Sequence, residues 1–302
     1  MFKSFAEIIT AAQRQERVKI AVAAAADADV LTAIQKAQQA GIADAVLVGD
    51  TAAIGEICRQ HNIDAGMFEM EHVPDVRMAA KRAAELVRQG TAQVMMKGMV
   101  GTADFMRAVL SKAEGLGTGG LLSHVVVFEA TSFDRMLILT DPAINIAPDL
   151  PQKVQIIENA LQVTSALGNN EPKVAMLAAV ETVTASMKAT EEAALIAKMA
   201  ERGQIKGCRI DGPLALDNAV SAAAATHKGI GGEVAGKADL LVVPDIEAGN
   251  IFYKALVYFA RTPLAGIVIG AAAPVVLTSR ADSPETKLNS IALAVMVSRA
   301  KR

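Results

Sequence analysis

At 302 residues the chain is long enough for two domains, each burying its own core. Hydrophobic residues make up 52% and charged residues 21%, and the formal net charge is -2, with no run of basic side chains. This balance predicts a globular protein and excludes a nucleic-acid binder, which needs clustered lysine and arginine to displace counterions.

The apolar run at 264–277 is shorter than the roughly 18 residues of a membrane helix and contains glycine and proline, so we interpret it as buried strands. The sequence therefore predicts no membrane partner. Cys58 and Cys208 lack the spacing of metal ligands, and the four histidines do not pair, so no metal site is expected. Lys3 and Glu7 interrupt the start, which does not resemble a secretory signal, and we expect a cytoplasmic protein.

The first half alternates between strands and helices. Apolar runs of strand length occur at 18–23, 44–49 and 93–97, and helical spacing occurs at 4–15, 29–41, 76–89 and behind Thr102, a candidate cap. Residues 114–120 form a glycine-rich loop. Alternation of this kind predicts a parallel, doubly wound sheet in an α/β fold.

The second half continues the alternation. Strand-like runs at 124–128 and 136–139 suggest an antiparallel pair or a crossing between domains, and Asp141-Pro142 ends the second run near a predicted domain boundary. Beyond this boundary we predict helices at 153–167, 189–202 and 214–225, and strands at 173–178 and 240–243.

A polar loop follows the strand at 240–243. Ligands collect at the carboxyl ends of strands in open α/β sheets, so Asp245 and Asn250 are candidate substrate-binding residues. The simpler interpretation is that Pro244 ends the strand and Asn250 caps the next helix without any ligand.

The last element has clear start signals. A strand at 275–278 leads to Ser279-Arg280-Ala281-Asp282, and Ser283-Pro284-Glu285 then supplies a capping hydroxyl, a proline and an acid for a helix. Ser279 and Arg280 thus precede the electropositive end of a helix, where anions bind readily. Arg107, on the outward face of an earlier helix, is a second candidate for a phosphate, although spacing alone favours a solvated arginine.

Long stretches of the chain resemble the phosphate acetyl/butyryltransferase family. The resemblance rests on residues 206–217, 234–239, 244–254 and 277–283, and the Ser-Arg-Ala-Asp-Ser run is similar to the phosphate butyryltransferase branch. It covers nearly the whole chain and implies reversible transfer of a short acyl group between coenzyme A and inorganic phosphate. The coenzyme A ester is then a substrate, and no cofactor is needed.

The resemblance also implies a fold like that of isocitrate/isopropylmalate dehydrogenases, with two doubly wound α/β domains and a cleft between them. The first domain is expected at 1–130 plus 278–302 and the second at 131–277. A homodimer or larger homo-oligomer is implied, with acyl-CoA, phosphate and acyl phosphate as partners.

Residue by residue, the resemblance assigns catalytic roles to Arg107, Ser279 and Arg280. Thr102 and Asp282 are further candidate substrate-binding residues. Two departures qualify it. Thr286 stands where acetyltransferases carry an acid proposed as the base, which leaves the base unassigned, with Glu285 and Asp282 as neighbouring acids. Gly117 and Gly120 stand where butyryltransferases usually carry arginine and lysine.

Three alternatives remain open. One is a phosphate acetyltransferase, which differs in the size of its acyl pocket. The second is a non-catalytic acyl-CoA-binding relative, favoured by the loss of cations at Gly117 and Gly120. The third is a metal-dependent dehydrogenase that would use Asp211 and Asp217, but Pro213 between them suggests a helix start rather than a ligand pair.

Overall fold

The computed structural model describes residues 2–111, 114–130, 133–279 and 282–300. Its strands are β1 (Val18–Ala23), β2 (Ala43–Gly49), β3 (Glu69–His72), β4 (Val94–Lys97), β5 (Ser123–Glu129), β6 (Met136–Thr140), β7 (Lys173–Leu177), β8 (Arg209–Leu214), β9 (Leu240–Val242), β10 (Leu264–Ile269) and β11 (Val275–Val276). Its helices are α1 (Phe5–Gln13), α2 (Ala28–Gln39), α3 (Thr51–Gln60), α4 (Val76–Arg88), α5 (Thr102–Leu110), α6 (Leu150–Ala166), α7 (Lys188–Glu201), α8 (Leu216–Val220), α9 (Ala222–His227), α10 (Ile246–Ala255) and α11 (Pro284–Ala300).

The chain divides into two compact units. The terminal unit comprises Phe5–Gly120 and Leu264–Arg302, and the central unit comprises Met1–Ser4 and Leu121–Pro263. The predicted domains, 1–130 plus 278–302 and 131–277, differ from these units at residues 1–4, 121–130 and 264–277. The strands in these stretches pair inside their units, β5 with β6 and β10 with β11. The domain limits stay a prediction.

The terminal unit has its strands in the order β3-β2-β1-β4-β11-β10. The first five run parallel, and β10 is antiparallel to β11. Helix α11 packs against α1, α2 and β10, and its residues from Ile291 to Val297 are all buried. Helix α4 presents a face of small side chains to β1 and α5, so these elements approach closely.

The central unit has the order β5-β6-β9-β7-β8. Strand β5 is antiparallel to β6, and the other neighbours are parallel. The predicted antiparallel pair is therefore confirmed. Helix α10 continues into a turn of π-helix, Leu256–Ala260, which ends at Arg261 with a positive φ of 49°. The α/β fold class is confirmed in both units.

Two local predictions were wrong, and one strand was not predicted. Residues 214–225 do not form one helix, because Leu214 ends β8 and Ser221 separates α8 from α9. Pro213 is a strand residue of β8 and not a helix start. Strand β3, which carries the exposed Glu69 and His72, has no apolar run that would have predicted it.

Candidate functional site

The candidate site is at the carboxyl edge of the terminal unit's sheet, where β1 and β4 end. From β1 the chain continues through α2 to β2, which lies on one side of β1, whereas β4 lies on the other side. Strands β1 and β4 therefore flank the topological switch point of this sheet. Ligands bind at such points, outside the carboxyl ends of the strands. The segments after β1, β4 and β11 therefore form the framework of the candidate site.

The segments after β1 and β4 are in close contact. The Gly98 N–H donates to the Ala23 carbonyl at 2.9 Å, and the Met99 N–H donates to the Ala24 carbonyl at 2.8 Å. A Cβ added to Gly98 would lie 2.3 Å from the Ala24 carbonyl oxygen, so only glycine fits at this position. This contact fixes where α5 begins and hence where Thr102 lies.

Thr102 is the first residue of α5 and does not cap it. The N-cap is Gly101, which provides no side-chain hydrogen bond, so the predicted capping role was wrong. Thr102 follows β4, and Ser279 follows the neighbouring strand β11, so both residues belong to the same carboxyl edge of the terminal unit. A substrate contact by Thr102 stays a prediction.

Ser279 and Asp282 are joined by two hydrogen bonds. The Ser279 N–H donates to the Asp282 carboxylate at 2.7 Å, and the Asp282 N–H donates to the Ser279 carbonyl at 3.1 Å. The Asp282 residue is only 7% exposed. Arg280 lies outside the described residues. We call the hydrogen-bonded pair of Ser279 and Asp282 the Ser279 turn.

Helix α11 begins directly after the Ser279 turn, as predicted. The Ser283 hydroxyl accepts a hydrogen bond from the Thr286 N–H at 3.1 Å, and Pro284 occupies the first helical position. A capping oxygen of this kind stabilises a helix start by about 1 kcal/mol. Because the cap fixes the start of α11, the Ser279 turn precedes a well-defined helix N-terminus, where the macrodipole favours an anion.

Arg107 lies in a groove between α4 and α5. Its side chain is 72% exposed and donates a hydrogen bond to Asp104, which also accepts from Arg77 at 3.2 Å. The bond from Arg107 lowers the pKa of Asp104 below its ordinary value, and Arg77 adds to this effect. The groove has a volume of about 860 Å³, and Met78 and Leu110 contribute apolar surface to it.

The groove and the Ser279 turn are separate features of the terminal unit. Arg107 is five residues beyond Thr102 on α5, which places it about 7 Å farther along the helix axis. Ser279 and Asp282 do not line the groove. Joint action of Arg107 and Ser279 on one phosphate stays a prediction.

Asp245 and Asn250 occupy the carboxyl edge of the central unit. Asp245 caps α10 by accepting from the Ala248 N–H at 2.9 Å, whereas Asn250 lies inside the helix and donates to the Pro142 carbonyl at 3.4 Å. The predicted cap at Asn250 was therefore wrong, because Asp245 starts the helix five residues earlier. Both side chains have structural contacts, and their contact with substrate stays a prediction.

Lys287 was missed by the sequence interpretation. Its residue is 2% exposed, and its ammonium group donates to the main-chain carbonyl of Asp282. The signal was present, because Lys287 lies four residues before Ile291 and eight before Val295 and thus on the buried stripe of α11. A lysine in phase with such a stripe needs acceptors inside the protein.

The described residues contain neither a group of candidate metal ligands nor a thiol of lowered pKa. No cluster of three or more histidine, cysteine, aspartate or glutamate side chains occurs in the described ranges. Asp211 lies in β8, where its carboxylate accepts from the Gly212 N–H at 2.8 Å, and Asp217 lies in α8. Burial, with a contribution from Glu171, raises the pKa of Cys208 to about 11, so this thiol is a poor nucleophile at neutral pH. None of the described helices is long and apolar enough to cross a membrane.

Comparison with known proteins gives consistent matches over the whole chain. The profile of the family described as Phosphate acetyl/butaryl transferase matches residues 4–82 and 69–295. A phosphate butyryltransferase from Clostridium acetobutylicum is 52% identical over 297 residues, which cover 98% of this chain and 99% of the relative. A phosphate acetyltransferase from Rhizobium meliloti is 43% identical over 295 residues, which cover 98% of this chain and 93% of that relative.

A similar solved structure is that of a branched-chain phosphotransacylase from Enterococcus faecalis V583. It superposes with a TM-score of 0.83 at 31% sequence identity, and the match covers 93% of this chain and 99% of that chain. The similarity therefore extends through both units and is not confined to a shared motif.

Proposed function

The chain belongs to the phosphate acetyl/butaryl transferase family, and we propose that it transfers a short-chain acyl group between coenzyme A and inorganic phosphate. The observation that carries the proposal is the 52% identity over 98% of this chain to a phosphate butyryltransferase. Butyryl is accordingly the proposed acyl group. Because a phosphate acetyltransferase is 43% identical over a similar length, acetyl transfer is the alternative.

The proposed reaction is a direct attack in a ternary complex. A phosphate oxygen forms a bond to the thioester carbonyl carbon, the carbon–sulfur bond breaks, and coenzyme A leaves as a thiolate that takes up a proton. The products are acyl phosphate and free coenzyme A. Holding both reactants in the correct orientation lowers the activation barrier by several kcal/mol, and no covalent acyl-enzyme is required.

The proposed catalytic groups are two arginine side chains and the Ser279 hydroxyl. Arg280 and Arg107 neutralise phosphate, since a guanidinium binds two phosphate oxygens in a planar fork. The Ser279 N–H is occupied by Asp282, so the hydroxyl is the group of Ser279 that we assign to the carbonyl oxyanion or the leaving thiolate. Thr102, Asp282, Asp245 and Asn250 are proposed to contact or orient the substrates.

A general base is not assigned. Thr286, which stands where the family's acetyltransferases carry an acid, accepts from the Ser283 hydroxyl at 3.2 Å and has no carboxylate to offer. The buried Asp282 carboxylate accepts the Ser279 N–H, which supports a role in orienting the turn. A thiol with a pKa of about 8.5 is acidic enough to depart as the thiolate and to take up its proton afterwards, so the forward reaction proceeds without a strong acid.

Further properties are proposed from the family relationship. They are an isocitrate/isopropylmalate dehydrogenase type of fold with a cleft between two domains, assembly as a homodimer, and a cytoplasmic location. The non-catalytic alternative rests on Gly117 and Gly120. A Cβ at Gly117 would lie 3.3 Å from the Leu110 carbonyl oxygen, which requires a small local shift, whereas one at Gly120 would make an ordinary 3.5 Å contact with Thr118, so position 120 accepts a side chain more readily than position 117.

The decisive experiment measures thiol release from acetyl-, propionyl-, butyryl- and isobutyryl-CoA with and without phosphate. We expect phosphate-dependent release, with kcat/KM for butyryl-CoA at least about tenfold above that for acetyl-CoA, because each buried methylene contributes about 0.8 kcal/mol. A preference for acetyl-CoA would select the alternative, and tight binding of the esters without turnover would select the non-catalytic relative. Arg280→Ala is expected to reduce kcat at least about 100-fold with little change in the melting temperature.

A further inference from the structure

We propose that Lys287 is a positioning residue for phosphate, because its buried ammonium group holds the Ser279 turn through Asp282. This inference rests on the proposed function and adds a residue to the same site. The ligand concerned is inorganic phosphate or the phosphate group of the acyl phosphate.

The first observation is the burial of the charge. Lys287 is 2% exposed, and it shares the buried face of α11 with Ile291 and Val295. A charged group in such a place is unfavourable unless hydrogen bonds and opposite charge compensate for lost hydration. The partners of Lys287 therefore indicate why a lysine occupies this position.

The second observation is the identity of the partners. A side chain on a helix points toward the N-terminus, and that of Lys287 reaches back past the first turn of α11 to donate to the Asp282 carbonyl. Its Nζ also lies 3.9 Å from the Asp29 carboxylate. Asp29 is in the first turn of α2, the helix that follows β1. Lys287 thus links the segments that follow β1 and β11 at the carboxyl edge of the terminal unit.

The third observation is that both the main-chain carbonyl and the side-chain carboxylate of Asp282 accept hydrogen bonds. Its carbonyl accepts from Lys287, and its carboxylate accepts the Ser279 N–H at 2.7 Å. The orientation of Ser279 therefore depends on Lys287 through one intervening residue. Loss of the ammonium group would remove the hydrogen bond from Lys287 that holds the Asp282 carbonyl.

The positive charge of Lys287 also favours anion binding at this edge. Asp282 and Asp29 bring two carboxylates to an edge that is proposed to bind an anion, and like charges weaken anion binding. The ammonium group of Lys287 supplies the opposite charge beside both residues. A neutral side chain of similar shape, such as methionine, would leave this excess of negative charge near the Ser279 turn.

A matched control is provided by Lys153 of the central unit. Lys153 is 3% exposed on α6 and pairs with the buried Glu192 of α7. Its replacement by methionine removes a buried lysine of the same kind, but none of its described contacts involves the Ser279 turn. It therefore reports the general effect of losing a buried ammonium group.

The test compares Lys287→Met, Lys287→Arg and Lys153→Met by melting temperature and by phosphate-dependent thiol release. For Lys287→Met we expect the phosphate KM to rise at least about tenfold while the acyl-CoA KM stays within about threefold, with partial recovery in Lys287→Arg. Lys153→Met is expected to lower the melting temperature and leave the phosphate KM unchanged. Lys287→Gln keeps one donor toward Asp282, and we expect a smaller rise from it if Lys287→Met does not fold.

The inference would be overturned if Lys287→Met, or Lys287→Gln in its place, kept a phosphate KM and kcat within about twofold of wild type, or if Lys153→Met gave the same kinetic change. A wild-type protein without phosphate-dependent thiol release would instead reject the proposed function. The role of Lys287 is then read from the rise in melting temperature that inorganic phosphate produces, which we expect in wild type and not in Lys287→Met. Equal rises in both proteins would reject the role.

Discussion

The guanidinium of Arg107 donates a hydrogen bond to the carboxylate of Asp104, which lies one helical turn earlier on α5. Asp104 also accepts from Arg77 of α4, so two arginines share one acid at the groove. An ion pair in contact with water is weak, because solvent competes with it. Phosphate, with more charge and more acceptor oxygens, would compete with Asp104 for Arg107 if it binds in this groove.

The first prediction concerns Arg107. If Arg107 binds phosphate, Arg107→Ala should raise the phosphate KM at least about tenfold, since a charge-assisted hydrogen bond contributes about 1.5–3 kcal/mol. The matched control is Arg77→Ala, which removes the other partner of Asp104 from the same groove and should change the phosphate KM less than about twofold. A normal phosphate KM in Arg107→Ala would identify Arg107 as a solvated surface residue.

The second prediction concerns the competing acid. Asp104→Asn removes the negative charge that holds Arg107, so the phosphate KM should fall by about two- to fivefold. Since the pKa of Asp104 is lowered, its carboxylate stays ionised throughout the neutral range, and the ratio of the two KM values should not vary between about pH 6 and pH 8. A rise of the KM in the variant would show that Asp104 orients Arg107 instead of competing for it.

The third prediction concerns stability at the end of β11. Thr278 is 8% exposed, and its hydroxyl has no hydrogen-bond partner within the described ranges. Because a buried unsatisfied hydroxyl costs about 1–3 kcal/mol, Thr278→Val should raise the melting temperature. Thr140→Val is the control, since the buried Thr140 hydroxyl donates to the His124 carbonyl at 3.0 Å and its loss should lower the melting temperature. A lower melting temperature in Thr278→Val would mean that the hydroxyl has a stabilising partner.

The fourth prediction concerns Cys208. Its pKa of about 11 lies above that of an ordinary thiol, so the group stays protonated at neutral pH and becomes a thiolate only as the pH approaches that value. Cys208→Ala should keep kcat within about twofold, and alkylation of Cys208 by iodoacetamide should be slow near pH 8 and accelerate above about pH 10. A loss of turnover of more than about 100-fold would argue for a covalent acyl-enzyme on this sulfur.

Local signals predicted much of the fold because they act within a few residues. The alternation of apolar strands and amphipathic helices gave the α/β class, and the hydroxyl, proline and acid at Ser283, Pro284 and Glu285 gave the start of α11. These sequence signals act on the backbone within a few residues of their own position. The predicted start of α11 is confirmed, because the Ser283 hydroxyl caps a backbone N–H only three residues away.

Tertiary packing decided the remaining features. Thr102 does not cap α5, because the tight contact of Gly98 with Ala24 determines the path of the chain into that helix. Strand β3 pairs with β2 although three of its four residues are polar, because the pairing uses the backbone groups of the two strands. Lys287 and Asp29 are far apart in the sequence, so no local sequence pattern predicts their contact.

The division of the terminal unit between two distant segments has a consequence for biosynthesis. Strands β10 and β11 and helix α11 belong to this unit, and they leave the ribosome after Phe5–Gly120 and after the central unit. The central unit is largely contiguous and can fold while translation continues, whereas the nascent Phe5–Gly120 segment lacks the helix that covers it until α11 has been synthesised. An early stop codon before residue 284 should therefore expose this segment to chaperones and proteases while sparing the middle of the polypeptide.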